Sequence, residues 1–204
     1  SASYGRSFQN HLVHDGVHRL EVLVIDLVQV DSHGKSVLEQ GDHLDDAEGV
    51  HIAGGDEHGV VGEPADVFVE KLKYTVQFLS KNKPRYVMGI GTPEYILDAV
   101  SNGIDMFDCV QPTRIARHGL YFHHKGMVSI KQKRFERDFS ALDSECNCKV
   151  CKTYSRAYLR HIFREQEILS SMLASYHNLY FLHNMILEIR SAIENDKFEE
   201  YKKN

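Results

Sequence analysis

Three of the four cysteines of the chain lie within six residues of one another. They form a C-x-C-x2-C pattern at Cys146, Cys148 and Cys151. Short spacings of this kind allow one loop to bring three thiolates around a tetrahedral ion. A disulfide would leave one of the three sulfurs without a partner, so metal binding explains the pattern better. The pattern predicts a structural zinc site, in which four protein ligands close the coordination shell and leave no open position for chemistry.

Two histidines are candidates for the fourth ligand. His177 is favoured because it follows a long predicted helix and precedes Asn178, an N-cap residue type that would begin a second helix. His161 is the alternative, although it lies in the middle of a predicted helix on a basic face. The remaining cysteine, Cys109, lies in a predicted strand and is expected in the core.

A carboxylate at the end of a predicted strand is the second group that could do chemistry. The strand is IDMFDCV, residues 104–110, and its alternation places Asp108 on one face with apolar neighbours. Catalytic groups gather at the carboxyl ends of parallel strands in α/β folds. A carboxylate there could equally cap a loop or pair with Arg114, and position alone favours neither interpretation.

Local signals predict the elements that position these groups. An apolar stripe predicts a helix over 65–79, and PRYVMGI over 84–90 reads as a buried strand. Thr92 is a suitable N-cap before Pro93, and Gly103 supplies a left-handed end to the helix between them. Strand, helix and strand in this order predict a βαβ unit with parallel strands. Two separate helices, over 154–174 and 179–193, are predicted for the C-terminal part.

The net charge of −5 hides an uneven distribution. Residues 1–60 carry three Lys or Arg against eleven Asp or Glu, whereas residues 61–204 carry twenty-one against eighteen. Between residues 113 and 164 there are twelve basic and four acidic side chains, interleaved with aromatic residues. Clustered cations beside stacking rings suit an RNA backbone and splayed bases, although a solvated surface loop has a similar composition.

Composition excludes several protein classes. With 42% apolar and 26% charged residues, the chain is neither fibrous nor largely disordered. No apolar run is long enough for a transmembrane helix, and no secretory signal is visible, so a reducing, cytoplasmic location is expected. Within residues 1–60, LEVLVIDLVQV (20–30) predicts one strand, and the scattered histidines favour a solvated surface over a metal site.

Five motifs in order resemble those of one enzyme family. They are VGEP (61–64), PRYVMGIGTPE (84–94), DMFDCVQPTRIARHG (105–119), CNCKVC (146–151) and YHNL (176–179). Their sequence and spacing are similar to the tRNA-guanine transglycosylases, also called queuine tRNA-ribosyltransferases, of the bacterial type. The resemblance covers residues 61–204 and is not seen in residues 1–60.

The resemblance implies an α/β fold, the C-terminal part of a (β/α)8 barrel with an inserted zinc-binding subdomain and C-terminal helices. It also implies exchange of the wobble guanine in tRNAs with a GUN anticodon for a 7-deazaguanine base, with one structural Zn²⁺ and no membrane, and it allows a homodimer. A full barrel needs about 250 residues. The expectation is therefore a C-terminal portion of the enzyme, residues 61–204, joined to a leader of unclear fold, residues 1–60.

The resemblance also assigns roles to residues. Asp108 matches the nucleophilic carboxylate that forms a covalent intermediate with the ribose. The matches to the family's RNA-binding segments are Gly89, Ile90, Gly91, Thr92, Pro93, Glu94, Tyr95, Thr113, Arg114, Ile115, Ala116 and Arg117. The matches to its four zinc ligands are Cys146, Cys148, Cys151 and His177.

Two alternatives to a transglycosylase stay open at the level of the sequence. The family's general-base aspartate and most of its base pocket come from the N-terminal half of the barrel, and residues 1–60 match neither. The family has a glycine-rich stretch just before the position of Val61, whereas this chain has Glu57, His58 and Gly59 there. A non-catalytic, zinc-stabilised tRNA-binding module or partner subunit is therefore the main alternative. A helical zinc protein with no RNA role is the second.

Overall fold

A four-stranded parallel sheet is the centre of the fold in the computed structural model, which describes residues 21–22, 48–50 and 65–203. Its strands are β1 (Glu21–Val22), β2 (Glu48–Val50), β3 (Arg85–Met88) and β4 (Met106–Asp108). Their order across the sheet is β1-β4-β3-β2, and every neighbouring pair is parallel. The two outer strands therefore come from the first sixty residues of the chain.

Helices account for most of the remaining elements. They are α1 (Ala65–Val76), α2 (Pro93–Ser101), α3 (Gln111–Arg117), α4 (Lys149–Thr153), α5 (Arg156–Arg164), α6 (Ile168–Glu194) and α7 (Phe198–Tyr201). An antiparallel pair, β5 (Leu120–Tyr121) and β6 (Val128–Ser129), and a 3-10 turn (Lys133–Phe135) lie between α3 and α4. Among the described helices, none is long and apolar enough to cross a membrane.

The predicted βαβ unit is confirmed as β3, α2 and β4. Helix α2 begins at Pro93 behind the N-cap residue Thr92, and Gly103 adopts a φ of 82° just after the helix ends. Asp105 then joins the two strands, because its carboxylate accepts a hydrogen bond from the backbone N–H of Arg85 at 2.9 Å. These contacts set the register in which Met88 lies opposite Asp108. The ends of β3 and β4 thus meet at one edge of the sheet.

Two of the sequence-based expectations about local structure are wrong. The TRIAR segment, expected as a loop, forms most of α3. The break expected before Asn178 is absent, since α6 is one helix of 27 residues that runs through His177 and Asn178. Asparagine often caps helices, but here its side chain bonds to other segments and leaves the helical backbone continuous.

The strand expected over 20–30 agrees with the structure at Glu21–Val22. The rest of that segment, and all seven histidines of the first sixty residues, lie outside the described residues.

Two hydrophobic clusters share α6. The first packs α1, α2 and the sheet against the C-terminal half of α6, with Leu182, Met185, Ile186 and Ile189 at its centre. The second surrounds the three clustered cysteines and receives Ala174 from the N-terminal half of the same helix. His177 and Asn178 lie between these contacts, where the two clusters meet.

Asn178 joins α6 to the chain around α3. Its Oδ1 accepts a hydrogen bond from the backbone N–H of Phe122 at 3.0 Å. Its Nδ2 donates to the carbonyls of Pro112 at 2.9 Å and Leu120 at 3.1 Å. Asn178 has no exposed surface, so water cannot replace these bonds if the side chain is lost.

We therefore expect Asn178→Ala to lower the free energy of unfolding by about 3 kcal/mol, since it leaves buried backbone groups without partners. The measurement is urea unfolding followed by circular dichroism. Asn184→Ala, in the same helix but partly exposed, is the matched control and should change the stability by less than about 0.5 kcal/mol. Equal losses for the two variants would contradict the role given to Asn178.

Candidate active site and metal centre

Three sulfurs and one imidazole nitrogen converge in the second cluster. The ligand atoms of Cys146, Cys148, Cys151 and His177 all lie within 4.8 Å of one another, and all four residues are buried. The Nδ1 atom of His177 lies 3.8, 3.4 and 3.4 Å from the sulfurs of Cys146, Cys148 and Cys151. The alternative ligand, His161, is exposed on α5 and is not part of this group.

Local structure orients the side chains of Cys148 and His177 toward the other ligand atoms. Cys148 is the N-cap of α4, and its sulfur accepts a hydrogen bond from the N–H of Cys151 at 3.3 Å. His177 Nε2 lies 2.7 Å from the carbonyl oxygen of Phe122. A carbonyl can only accept, so Nε2 carries the proton and Nδ1 presents its lone pair to the sulfurs. Hydrogen bonds from Cys146 and Cys151 lower the pKa of Cys148, which favours the thiolate that metals require.

A buried carboxylate orders the loop before the cysteines. Asp143 is 1% exposed, and its Oδ2 accepts from the N–H of His124 at 3.1 Å and lies 2.7 Å from the Nδ1 of that ring. Its Oδ1 accepts from the N–H of Glu145 at 3.0 Å. Burial raises the pKa of Asp143, but hydrogen bonds from His124 and Glu145 outweigh it and hold the pKa below its usual value. The ionised Asp143 thus fixes the turn that leads into Cys146.

The four donors fit a tetrahedral metal ion. With bonds of about 2.0–2.3 Å, the ligand atoms of such an ion are about 3.3–3.8 Å apart. The observed distances from the imidazole nitrogen to the sulfurs, 3.4 to 3.8 Å, fall in that range. Three thiolates and one imidazole form a soft donor set that is typical of zinc and unsuited to magnesium or calcium.

Asp108 lies at the carboxyl end of β4 and is half-buried. Its Oδ1 accepts a short hydrogen bond from the hydroxyl of Tyr86 and a longer one, at 3.3 Å, from the N–H of Gly89. Burial, together with the hydrogen bond and the negative charge of Asp108, raises the pKa of Tyr86, so the phenol stays a donor. Among the described residues, Oδ2 of Asp108 has no hydrogen-bond partner and Arg114 forms no ion pair with it.

The loop after β3 is packed closely against Cys109. Gly89 has a φ of 81°, a backbone conformation that favours glycine. A Cβ atom on Gly91 would lie 2.3 Å from the Cβ of Cys109, so only glycine fits there. Cys109 is 8% exposed, as expected for a core cysteine, and burial raises the pKa of its thiol to about 11. This packing holds the loop over the residue next to Asp108.

The two segments matched to RNA binding lie beside Asp108 at the same edge of the sheet. One leaves β3 and enters α2, and the other forms α3 after β4. Gly89, Glu94 and Arg117 are exposed. Thr92, Pro93, Tyr95, Thr113, Arg114 and Ile115 are partly buried. The side chains of Ile90 and Ala116 are buried in the hydrophobic clusters, so these positions can offer a ligand only their backbone.

Sequence reasoning missed Tyr86 and Asn178 as parts of this site. Tyr86 reaches Asp108 only through the register of β3 against β4, which no local pattern specifies. The residue type of Asn178 predicts a helix cap. Its position directly after the candidate ligand His177 is the signal that indicates a buried role instead.

Comparison with known proteins places these features in a family. The sequence profile of the queuine tRNA-ribosyltransferases matches residues 29–204. The matched range takes in part of the segment in which the sequence shows no motif of the family. The chain is 60% identical over 144 residues to the queuine tRNA-ribosyltransferase of Treponema denticola, covering 71% of this chain and 38% of that protein. The enzyme of the same name from Caldanaerobacter subterraneus is 51% identical over 142 residues, covering 70% of this chain and 38% of that protein.

A third relative gives a similar result. The queuine tRNA-ribosyltransferase of Dehalococcoides mccartyi is 50% identical over 142 residues, which cover 70% of this chain and 36% of that protein. The chain therefore spans little more than a third of the length of the relatives it matches.

We expect the purified chain to bind about one metal ion through the four converging donors. Cys148→Ser should weaken metal retention at least about tenfold and lower the melting temperature, because binding energy in such a site is also folding energy. Elemental analysis by mass spectrometry and thermal unfolding with and without a chelator measure the two effects. Cys109→Ser, at the one cysteine outside the group, should retain the ion. A chelator-insensitive melting temperature would contradict a structural metal.

Proposed function

Because the chain belongs to the queuine tRNA-ribosyltransferase family, we propose that it carries the nucleophile of guanine exchange in tRNA. The reaction replaces the wobble guanine of a GUN anticodon with a 7-deazaguanine base, in the cytoplasm. The observation that carries the proposal is the carboxylate of Asp108, which stands at the end of a parallel strand between the two segments matched to RNA binding. In this proposal the fold is the C-terminal part of a (β/α)8 barrel.

The proposed chemistry is a double displacement at C1′ of the ribose. A carboxylate oxygen of Asp108 bonds to C1′ while the bond from C1′ to N9 of guanine breaks; guanine leaves with the electron pair on N9 and takes a proton from solvent. N9 of the incoming base then bonds to C1′ and gives its proton to solvent, while the bond from C1′ to the carboxylate oxygen breaks and Asp108 is released as the carboxylate. A carboxylate nucleophile suits the oxocarbenium-like transition state of glycosyl transfer, as it does in retaining glycosidases.

The hydrogen bonds around Asp108 support this role over that of a loop cap. Both donors, the hydroxyl of Tyr86 and the N–H of Gly89, form hydrogen bonds with Oδ1 of Asp108. Oδ2 has no partner among the described residues, so it is the oxygen that we assign to the attack. Tyr86 acts as a positioning residue, because its phenol orients the carboxylate without touching the ribose. A carboxylate held at one oxygen and open at the other is prepared for in-line attack.

The RNA-binding role of the two neighbouring segments rests on their position and charge. Helix α3 begins three residues after Asp108 and carries Arg114 and Arg117 in its last turn. The Nη1 atom of Arg114 is buried and has no hydrogen-bond partner among the described residues, so a phosphate oxygen could satisfy it. The loop at Gly89 leaves its surface open, since nothing lies within 4 Å of the place where a Cβ would stand.

The metal in this proposal is zinc, held by Cys146, Cys148, Cys151 and His177. Zinc would keep α4 and the loop before it against the middle of α6 and would take no part in the exchange. The burial of all four ligands supports a structural role, since a catalytic zinc needs a position open to substrate.

A second candidate function is a tRNA-binding module without catalysis. The observation that favours it is the buried Nη1 of Arg114, which has no partner among the described residues and would bind a phosphate whether or not Asp108 reacts. Incorporation of radiolabelled guanine into a tRNA transcript separates the two functions. Exchange supports the transglycosylase, whereas tRNA binding without exchange would leave the binding module.

We expect Asp108→Asn to abolish the covalent adduct between the chain and tRNA, because an amide oxygen is a far weaker nucleophile than a carboxylate. The adduct is detected as a denaturation-resistant band on a gel after incubation with a GUN-anticodon transcript. An adduct that survives this substitution would refute the assignment.

Asp105→Asn is the matched control for this experiment. Asp105 lies three residues before Asp108, and its carboxylate accepts a hydrogen bond from the N–H of Arg85, which an amide oxygen can also accept. The control should therefore keep the adduct. Wild-type chain that binds the transcript without any adduct would favour the binding module.

A further inference from the structure

A cleft outside the site at Asp108 lies between the ends of α3 and α5 and the start of α6. Its volume is about 540 Å³. Arg117 at the end of α3, Lys131 after β6 and Arg164 at the end of α5 line it, and Ser170 lines it from the first turn of α6. We call it the α6 cleft.

The α6 cleft is strongly basic. Three cationic side chains, Arg117, Lys131 and Arg164, line it against one carboxylate, that of Glu167. Within the described part of the chain, none of the three cations forms an ion pair. Lys131 is held over the ring of Phe163, with its Nζ 5.3 Å from the ring centre. Like charges gathered in this way repel one another, and an anionic ligand would relieve that repulsion.

A buried hydroxyl in the cleft is the second, independent sign of a ligand. Ser170 is 2% exposed, and its Oγ is buried without a hydrogen-bond partner among the described residues. Buried hydroxyls normally have a partner, and one without a partner costs stability. Ser170 lies in the first turn of the 27-residue helix α6, where the helix dipole is positive. A hydroxyl donor at a helix N-terminus among cations suits a phosphate group.

The cleft is continuous with the proposed RNA-binding surface. Arg117 belongs to both, since it ends α3 and lines the cleft. Helix α3 begins three residues after Asp108 and has seven residues, so it spans about 10 Å. Arg117, at the end of that helix, is therefore within reach of the same RNA strand as Asp108.

We propose that the α6 cleft binds a phosphodiester group of the RNA backbone near the ribose attacked by Asp108. Lys131 and Arg164 supply the charge, and the Ser170 hydroxyl donates a hydrogen bond to a phosphate oxygen. The inference rests on the proposed function for its choice of RNA as the ligand. The phosphate contact would fix the position of the RNA strand along the protein surface and would carry no base specificity.

The first test uses the full chain and a tRNA transcript with a GUN anticodon. Lys131→Gln combined with Arg164→Gln should weaken binding about tenfold at low salt. It should also reduce the slope of log affinity against log salt concentration by about 0.7, because both cations serve one phosphate and each phosphate neutralised on a single strand contributes about 0.7. Fluorescence anisotropy at several salt concentrations measures both quantities.

Lys197→Gln combined with Lys203→Gln is the matched control. It removes the same charge beyond the far end of α6, about 40 Å from the cleft along the helix. Affinity should stay within about twofold of wild type, since these positions lie several Debye lengths away. Equal weakening by the two double variants, or no weakening by either, would overturn the proposal.

Ser170→Ala tests the hydroxyl separately. We expect tRNA binding to weaken about threefold with an unchanged salt slope, because the substitution removes a hydrogen bond and no charge. The melting temperature should not fall, since this hydroxyl has no partner among the described residues to lose. A lower melting temperature with unchanged tRNA affinity would show that Ser170 is structural and would overturn its role.

Two further measurements separate this inference from neighbouring ones. If inorganic phosphate raises the melting temperature of wild type but the cleft variant binds tRNA normally, the site takes a free anion and the proposal fails. If wild type does not bind tRNA, the proposal also fails. If the cleft variant loses tRNA affinity, the control variant keeps it and wild type shows no guanine exchange, then RNA binding in the α6 cleft is supported and the proposed catalysis is refuted.

Discussion

Two adjacent buried side chains in the middle of α6 are the constraint on which the rest of the structure depends. The Nδ1 atom of His177 lies beside three sulfurs, and its Nε2 atom lies within hydrogen-bond distance of the carbonyl oxygen of Phe122. Asn178 bonds to the N–H of that same residue and to two carbonyls that flank α3. The four candidate metal ligands and the chain around α3 are thus tied to one helix at neighbouring positions, so neither can shift without breaking buried hydrogen bonds.

This tie also sets the geometry of the proposed chemistry. The carbonyls of Pro112 and Leu120 lie at the beginning of α3 and just after its end, so their bonds to Asn178 fix the helix that carries Arg114 and Arg117. The register of β3 against β4 independently places Tyr86 and the loop at Gly89 on one oxygen of Asp108. The proposed nucleophile and the basic helix therefore occupy set positions, which the proposed glycosyl transfer on a bound RNA would require. A structural metal at the four candidate ligands would support the proposed reaction through this rigidity alone.

The parts that sequence analysis predicted well are those specified by short-range rules. Cys146, Cys148 and Cys151 lie so close in the chain that any compact loop brings their sulfurs together. Pro93 and Gly103 mark the ends of α2 because a first-turn proline and a left-handed glycine depend on local backbone chemistry, whereas Thr92 holds the N-cap position without a capping hydrogen bond from its side chain. The same rules failed at Asn178, where a residue type that often begins a helix lies inside one. They failed again at TRIAR, whose helical form depends on packing against α6.

The sequence by itself determined the group of candidate metal ligands, the βαβ unit, the carboxylate at the strand end and the membership of a family, since each depends on residue types at fixed spacing. Only the tertiary structure decided which oxygen of Asp108 has no hydrogen-bond donor among the described residues, that α6 is continuous through both clusters, and that Ser170 lines one cleft with three cations from separate elements. The physical reason is distance along the chain. Contacts between residues tens of positions apart follow from strand register and helix packing, and those depend on the summed burial of many side chains.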